Sequence, residues 1–503
     1  MTINRIYLIC LFAGSSLLLL PFFFIQLPPL QDYPNHLARI HVLTHIHADP
    51  GLQQYYQAEW APLPNLAMDL VVPLLALFVP LETAGRWFCA AVLLSTPLAV
   101  TALSYALHKK LSLWPLFSML FVYNAVFTFG FLNYLLGVNL SLAGAALWIL
   151  FREKPAARIA PLFALVSIVI YFAHLSALGV YALLLFGYEL SAYLEGRRER
   201  LAVNRTAWAV GLSQFLLPTA MFVAFSPTFR LNLGASGVMD PLSKLQGVYG
   251  ILNSGHPAMD LLSFVIVGTL LLSAGVLGKL TFHKRAVAAF WVLLICFAAA
   301  PEVLFGSGYA SYRLPIAIVL FLVAASDWRA IPAAVSGLLF ATVAALLVVR
   351  VGAIAQDWRA FEPDHEQIRQ AFDSLPERSR ILPYVVNEAS YEFLAKPPLQ
   401  HLATLAVIQR SAFVPTLFAD PGKQPVAIRE KYQGLAHEVP RNIISKEQFL
   451  RALDDPDNPL RESRLAGFDY LLLFAKKPLS FAIPNSLRQT TSGDKFILYR
   501  IEP

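Results

Sequence analysis

Apolar stretches close to the ~20 residues that a helix needs to cross a bilayer recur along this chain from residue 6 to residue 351. Few folds other than a bundle of membrane-crossing helices can bury so many of them. With 57% hydrophobic and 14% charged residues and a mean hydropathy of +0.57 over 503 residues, the chain has the composition of a multi-span membrane protein. The texture then changes. From Gly352 to Pro503 there are 19 Lys/Arg against 19 Asp/Glu, and no run is long enough to span. The net charge of +7 therefore resides in the first 351 residues, where 20 basic side chains face 13 acidic ones. Membrane topology explains that surplus better than nucleic-acid binding. The opening run, 6–27, is too long for a signal-peptide core and lacks a small-x-small cleavage site, so it reads as a helix. Cys10, Cys89 and Cys296 all fall in apolar spans, and with no cysteine after Gly352 disulfides say nothing about the compartment.

Basic residues cluster in short loops: Arg5, Lys109 and Lys110, Arg152 to Arg158, Arg197 to Arg205, Lys279 to Arg285, and Arg329. The positive-inside rule places these loops in the cytoplasm. The crossings that satisfy it are roughly 6–27, 86–107, 113–129, 132–151, 159–173, 175–194, 206–226, 259–279, 286–304, 312–327 and 331–351. The expected architecture is an α-helical polytopic membrane protein of about eleven transmembrane helices over residues 1–351, with a small α/β extracytoplasmic domain over 352–503. Segment 65–81 is apolar enough to cross, but a crossing there would invert the loops that follow. It reads as an interfacial or re-entrant helix. In the last part, 365–375 has helical spacing, while 380–386, 468–475 and 495–502 read as strands, with branched and aromatic residues between turn signals.

Just after the opening run comes "LPPLQDYPNHLARIH", residues 27–41, which sets Asp32, Asn35, His36 and Arg39 within eight residues. Pro34 suits the first turn of a helix, which puts Asp32 just ahead of it. His36 and Arg39, three apart, share a face, and Asp32 lies a turn back on nearly the same bearing. A carboxylate, an imidazole and a guanidinium can thus converge. The bland alternative is an N-cap aspartate and a lipid-paired arginine. His41 and His45, with i, i+4 spacing, suit a metal, but no Glu stands between them and a water-facing helix explains them equally well.

Further along, Arg313 in "GSGYASYRLPIAIVLF" stands at the mouth of a span, where a guanidinium can hold a phosphate bidentately or simply snorkel. Arg230 and Lys244, in the Gly/Ser/Asn-rich loop 227–258, are candidates to add positive charge, with solvated surface as the bland reading. His174 falls at a turn between two apolar helices, as either a structural histidine or a site residue, and Asn133 reads as a polar turn residue. Asp69, an acid inside segment 65–81, is either a second site residue or the mark of an interfacial segment. Glycine-rich phosphate loops, CxxC pairs and nucleophile elbows are missing from the sequence.

Together these pieces resemble the integral-membrane glycosyltransferases of the GT-C fold, which take a sugar from a polyprenyl-phosphate carrier and include protein O-mannosyltransferases and lipid A aminoarabinose transferases. Three stretches carry the resemblance: "QDYPNHLAR" in an outward first loop, "LETAGRWFCAAVLLSTPLAVTALSYALHKK" (81–110) as a span ending in a basic inward turn, and "YRLP" (312–315) opening a late span. The resemblance implies that Asp32 is the catalytic base, or the orienter of the acceptor nucleophile, and that Arg313, or more weakly Arg39, compensates the leaving phosphate. One carboxylate beside a carrier phosphate points to a single displacement with inversion, and with the residue candidates above the expected substrate-binding set is His36, Arg39, Asp69, His174, Arg230 and Arg313. The partners implied are a polyprenyl-phosphate sugar, a lipid, glycan or protein acceptor, and membrane lipids, with no nucleic acid. Oligosaccharyltransferases carry a second acidic motif and a divalent metal. Here the corresponding turn, "TFGFLNYLLG" (128–137), has no acid, so the expectation is metal-independent chemistry without a cofactor. The resemblance places the protein in a bacterial inner membrane, where the topology read from the basic loops makes the N-terminus cytoplasmic and the C-terminal domain periplasmic.

Other classes fit less well. A transporter or lipid flippase wants ionisable groups near the bilayer midplane and inverted repeats, neither of which is evident. An O-antigen ligase or polymerase keeps its large outward loop between late spans, whereas here the large polar part comes last.

Overall fold

The computed structural model describes residues 3–198, 204–226, 229, 235–236, 240–304, 308–328, 332–387, 399–437, 444–454, 465, 467–475 and 486–502. By contacts the chain forms two compact units: residues 1–21, 62–68 and 87–355 make the first, and residues 22–61, 69–86 and 356–503 make the second.

The first unit is almost wholly helical. Among the described residues, seven helices of the chain are long and apolar enough to cross a membrane: Leu81–His108, Leu132–Phe151, Ala156–Ala173, Leu175–Arg198, Arg205–Phe225, Pro257–Val276 and Ala334–Asp373. Large apolar side chains lie bare along them, with Leu216 70%, Leu272 71% and Val276 87% exposed, as lipid-facing surfaces require. Where helices touch, small residues set the approach. A methyl group added at Gly187 would come within 2.2 Å of the Ala289 backbone, and one at Gly247 within 1.9 Å of the Ser311 carbonyl oxygen.

Several expected crossings take other forms. Stretch 113–129 becomes a 3₁₀ helix, Trp114–Phe121, followed by the single turn Ala125–Thr128. Asn124 separates the two pieces, accepting from the Phe127 N–H at 3.0 Å and donating to the Phe121 carbonyl at 2.7 Å. Residues Leu116 to Phe127 are all buried, so their hydropathy reflects packing within protein, a distinction that hydropathy alone cannot make. Helix Val287–Ala299 has 13 residues and Ala310–Ala325 has 16, about 20 and 24 Å long against a ~30 Å hydrocarbon core. Segment 65–81 forms the ten-residue helix Ala67–Ala76, too short to cross as a helix.

Two buried arginines of the first unit, Arg350 and Arg152, are each held by an acid and further partners. The Arg350 guanidinium donates to Asp260 (3.1 Å), Ser263 (3.0 Å) and the carbonyls of Tyr123 (3.0 Å) and Leu252 (2.9 Å). Arg152, expected in a basic loop, forms a two-pronged pair with Glu189, both bonds 2.7 Å, and Glu189 also accepts from the Trp148 indole at 2.8 Å.

The second unit holds the mixed sheet anticipated from the branched and aromatic runs. Its strands are β1 (Ile381–Asn387), β2 (Ile444–Ser445), β3 (Tyr470–Phe474), β4 (Leu487–Ser492) and β5 (Phe496–Ile501), in the order β4-β5-β3-β1-β2. β1 runs parallel to β3 and β2, while β5 is antiparallel to β3 and β4. β2 pairs only with Val386 and Asn387, so Pro383, which lacks an N–H, lies beyond its end. The helix expected at 365–375 is the end of one continuous helix, Ala333–Asp373. Strand Tyr56–Ala58 pairs with Val426–Ile428, tying the early segment to the late one. Around that seam Tyr55, Tyr56, Phe413 and Tyr432 interlock, with Tyr55 and Tyr432 rings at 4.9 Å edge-on.

Candidate functional site

The polar motif folds as a helix, Tyr33–His45, with Pro34 in its first turn as expected. This helix packs on the 3₁₀ turn Leu402–Thr404 and the helix Leu405–Arg410 within the second unit. Every residue from Tyr33 to Ile40 is buried. Its start relies on the backbone alone: Tyr33 N–H donates to Leu30 and His36 N–H to the Asp32 carbonyl. Asp32 occupies the N-cap position but makes no side-chain capping bond. The bland reading of this residue is therefore not realised. Its carboxylate, in a residue only 9% exposed, is left for other work.

Two further candidates, His36 and Arg39, lie on the same helix, and a third, Asp69 of helix Ala67–Ala76, joins them. Arg39 donates from Nε to Asp69 Oδ1 at 2.7 Å and from a terminal nitrogen to Asp69 Oδ2 at 2.6 Å. The same terminal nitrogen meets His36 Nδ1 at 3.0 Å. Both ions are dry, with 2% and 0% side-chain exposure. Arginine cannot accept a hydrogen bond, so His36 Nδ1 must accept, which leaves its ring neutral. Electrostatics agree: burial first, then Arg39 and His401, push the His36 imidazole well below its ordinary range. Arg39 is thus paired with Asp69, and Asp32 is the cluster's second carboxyl group.

Two residues complete the cluster that sequence reasoning did not assign. His401 Nε2 stands 3.5 Å from Asp32 Oδ1. Its other nitrogen meets Asn35 Nδ2 at 3.2 Å, and that amide also donates to the Thr416 carbonyl at 2.8 Å and accepts from Phe418 N–H at 2.6 Å. The Phe418 ring lies edge-on to both histidines, with centroids 5.0 Å from His401 and 5.7 Å from His36. His401 is a lone histidine ahead of an ordinary apolar run and carries no local signal. Asn35, inside the motif, was visible.

Other candidates fall elsewhere. Arg313 opens helix Ala310–Ala325 in the first unit and is 8% exposed, which is not the posture of a snorkelling side chain. Its guanidinium carbon lies 4.7 Å from the Phe131 ring centre and 5.9 Å from that of Tyr134, close enough for cation–π attraction. The Tyr134 hydroxyl donates to the Arg313 carbonyl at 2.7 Å, and its ring meets His174 edge-on at 5.3 Å. His174 Nδ1 accepts from Ser176 N–H at 3.0 Å. The first unit thus brings Arg313 and His174 to one tyrosine. Asn133 is less a turn residue than a latch: it accepts from Met68 N–H at 2.8 Å and donates to the Asn65 carbonyl at 2.9 Å. Lys244 donates to the Ala300 carbonyl at 2.6 Å. Arg230 lies outside the described residues. His41 and His45 stack at 4.2 Å on the outer side of the motif helix.

Fold and site together define a polytopic helical membrane protein with a buried acid–imidazole–guanidinium cluster seated in its second unit. In overall course the chain is similar to the structure of ArnT from Cupriavidus metallidurans bound to undecaprenyl phosphate, at 13% identity and a TM-score of 0.49, over 98% of this chain and 97% of that one. It is similar to the apo form of the same protein at 12% identity and a TM-score of 0.49, over 99% and 98%. No family model matches the sequence, and neither does any curated protein.

Proposed function

We propose that this chain is an inverting glycosyltransferase that moves a sugar from a polyprenyl-phosphate carrier to an acceptor at the outer face of a bacterial inner membrane. In this reading the N-terminus is cytoplasmic, residues 352–503 are periplasmic, and the chemistry needs no divalent metal. Asp32 is the base. The observation that carries the reading is a nearly buried carboxylate at a helix start that does not cap the helix, while Arg39 on the same helix is already held by Asp69.

That arrangement supports the following chemistry. The acceptor oxygen attacks the anomeric carbon of the sugar. The bond from that carbon to the carrier phosphate breaks, and its electron pair stays on the phosphate. The acceptor's proton passes to Asp32, since a positioned carboxylate in a poorly solvated site is an effective general base. A departing phosphate needs positive charge rather than a proton. Arg313 is assigned that role from its place at the start of "YRLP", and the Phe131 and Tyr134 rings beside it restrict its guanidinium. Arg39, engaged by Asp69 and His36, helps shape the site and does not take the phosphate.

The test is transfer by purified protein in nanodiscs, using radiolabelled polyprenyl-phosphate sugars as donors and membrane glycolipid extracts as acceptors. Label should move with the wild type and stay on the carrier with Asp32→Asn. Transfer at the wild-type rate by that variant would overturn the assignment.

A further inference from the structure

His401 was not among the residues the transferase reading used, yet it is the side chain that faces Asp32. Which of its nitrogens carries the proton can be deduced from the neighbours. A backbone N–H only donates and a carbonyl only accepts. Phe418 N–H must therefore meet the oxygen of Asn35, and the Thr416 carbonyl must meet its nitrogen. The orientation of the Asn35 amide, ordinarily ambiguous, is fixed from both ends. The second hydrogen on Asn35 Nδ2 then points at His401 Nδ1, 3.2 Å away, and that nitrogen must accept. A neutral imidazole accepting at Nδ1 carries its proton on Nε2, the atom 3.5 Å from Asp32 Oδ1. Thr404 holds the residue's backbone in turn, with its hydroxyl donating to the His401 carbonyl at 2.7 Å, and Phe418 flanks the ring.

We propose that His401 is a positioning residue for Asp32: locked by Asn35 with its proton on Nε2, it presents that N–H to Asp32 Oδ1 and leaves Oδ2 for the acceptor hydroxyl. This deepens the transferase reading and rests on it for the word acceptor; the proton's location stands on geometry alone. At 3.5 Å the contact is long for a hydrogen bond, and such contacts commonly shorten when a site is loaded. His401 cannot itself take the acceptor's proton at Nε2, because that site is filled. Its part is to orient the base, as the partner of a general base usually does.

The experiment needs no sugar donor. The full chain, labelled with ¹⁵N-histidine and held in nanodiscs at pH 7.5, is compared with Asp32→Asn and His401→Gln. The resonances lost in His401→Gln identify the residue. They should report a bare Nδ1 and a protonated Nε2, and the Nε2–H resonance should shift in Asp32→Asn. A protonated Nδ1 in the wild type, or an Nε2–H resonance indifferent to Asp32→Asn, would overturn the proposal. Failure of the transferase reading shows itself separately, as undiminished sugar transfer by Asp32→Asn, and does not alter the nitrogen spectrum.

Discussion

Arg39 and Asp69, thirty residues apart in sequence, are joined by two parallel N–H···O bonds of 2.7 and 2.6 Å with almost no solvent on either side chain. The pair ties the motif helix Tyr33–His45 to the short helix Ala67–Ala76. Breaking a buried pair strands the surviving charge, at a cost of ~3–5 kcal/mol, whereas replacing both partners by apolar groups of similar volume is often neutral. Asp69→Ala should therefore lower the thermal midpoint of the detergent-solubilised protein sharply, and Arg39→Met with Asp69→Leu should recover most of the loss. Equal losses in the single and double variants would contradict the pairing.

His36 sets an acid limit on stability. Its folded imidazole titrates well below the ordinary value because it is buried beside Arg39 and His401. Above about pH 6.5 the ring is neutral in folded and unfolded chains alike and contributes nothing. Below that, the unfolded chain takes up a proton that the folded one refuses, so stability falls by up to ~1.4 kcal/mol per pH unit. The midpoint should decline between pH 6.5 and 5, and His36→Gln should make the decline shallower. An unchanged slope in that variant would show that His36 is not the group responsible.

Helix contacts in the first unit should discriminate between glycines. A methyl at Gly247 meets the Ser311 carbonyl oxygen at 1.9 Å, while one at Gly268 meets nothing within 4 Å. Gly247→Ala should destabilise by ~1–3 kcal/mol or more, since backbone must move. Gly268→Ala should be neutral or stabilising by up to ~1 kcal/mol. Midpoints of the two variants, measured side by side, check the packing.

Arg313 should act on the donor. Loss of a charge-assisted, two-pronged contact is worth ~1.5–3 kcal/mol, so Arg313→Gln should raise the donor concentration for half-maximal transfer by about tenfold or more. Arg313→Lys keeps the charge without the fork and should recover only part. A donor requirement unaltered by Arg313→Gln would remove the phosphate role.

Much of this was legible in the sequence, and the exceptions have physical causes. Seven of the eleven expected spans, three strands of the last 150 residues and the helix around Pro34 follow from periodicity and turn chemistry, which are local. Asp32, His36 and Arg39 were visible because helical spacing places them on one side, and Asp69 because an acid inside an apolar segment demands a partner. Hydropathy misled at 113–129, where apolar residues face protein, because burial in protein and burial in lipid look alike in a sequence. His401 was not legible at all. It reaches the motif through an approach between residues more than 360 apart, and nothing around it marks it as more than a histidine before an apolar run.

The most direct measurement is the transfer rate of Asp32→Asn against wild type, both shown to be folded by matching elution profiles and thermal midpoints. Removal of a general base should slow transfer by ~10²–10⁴-fold with donor binding retained. A folded Asp32→Asn protein that transfers sugar at the wild-type rate would contradict the account at its centre.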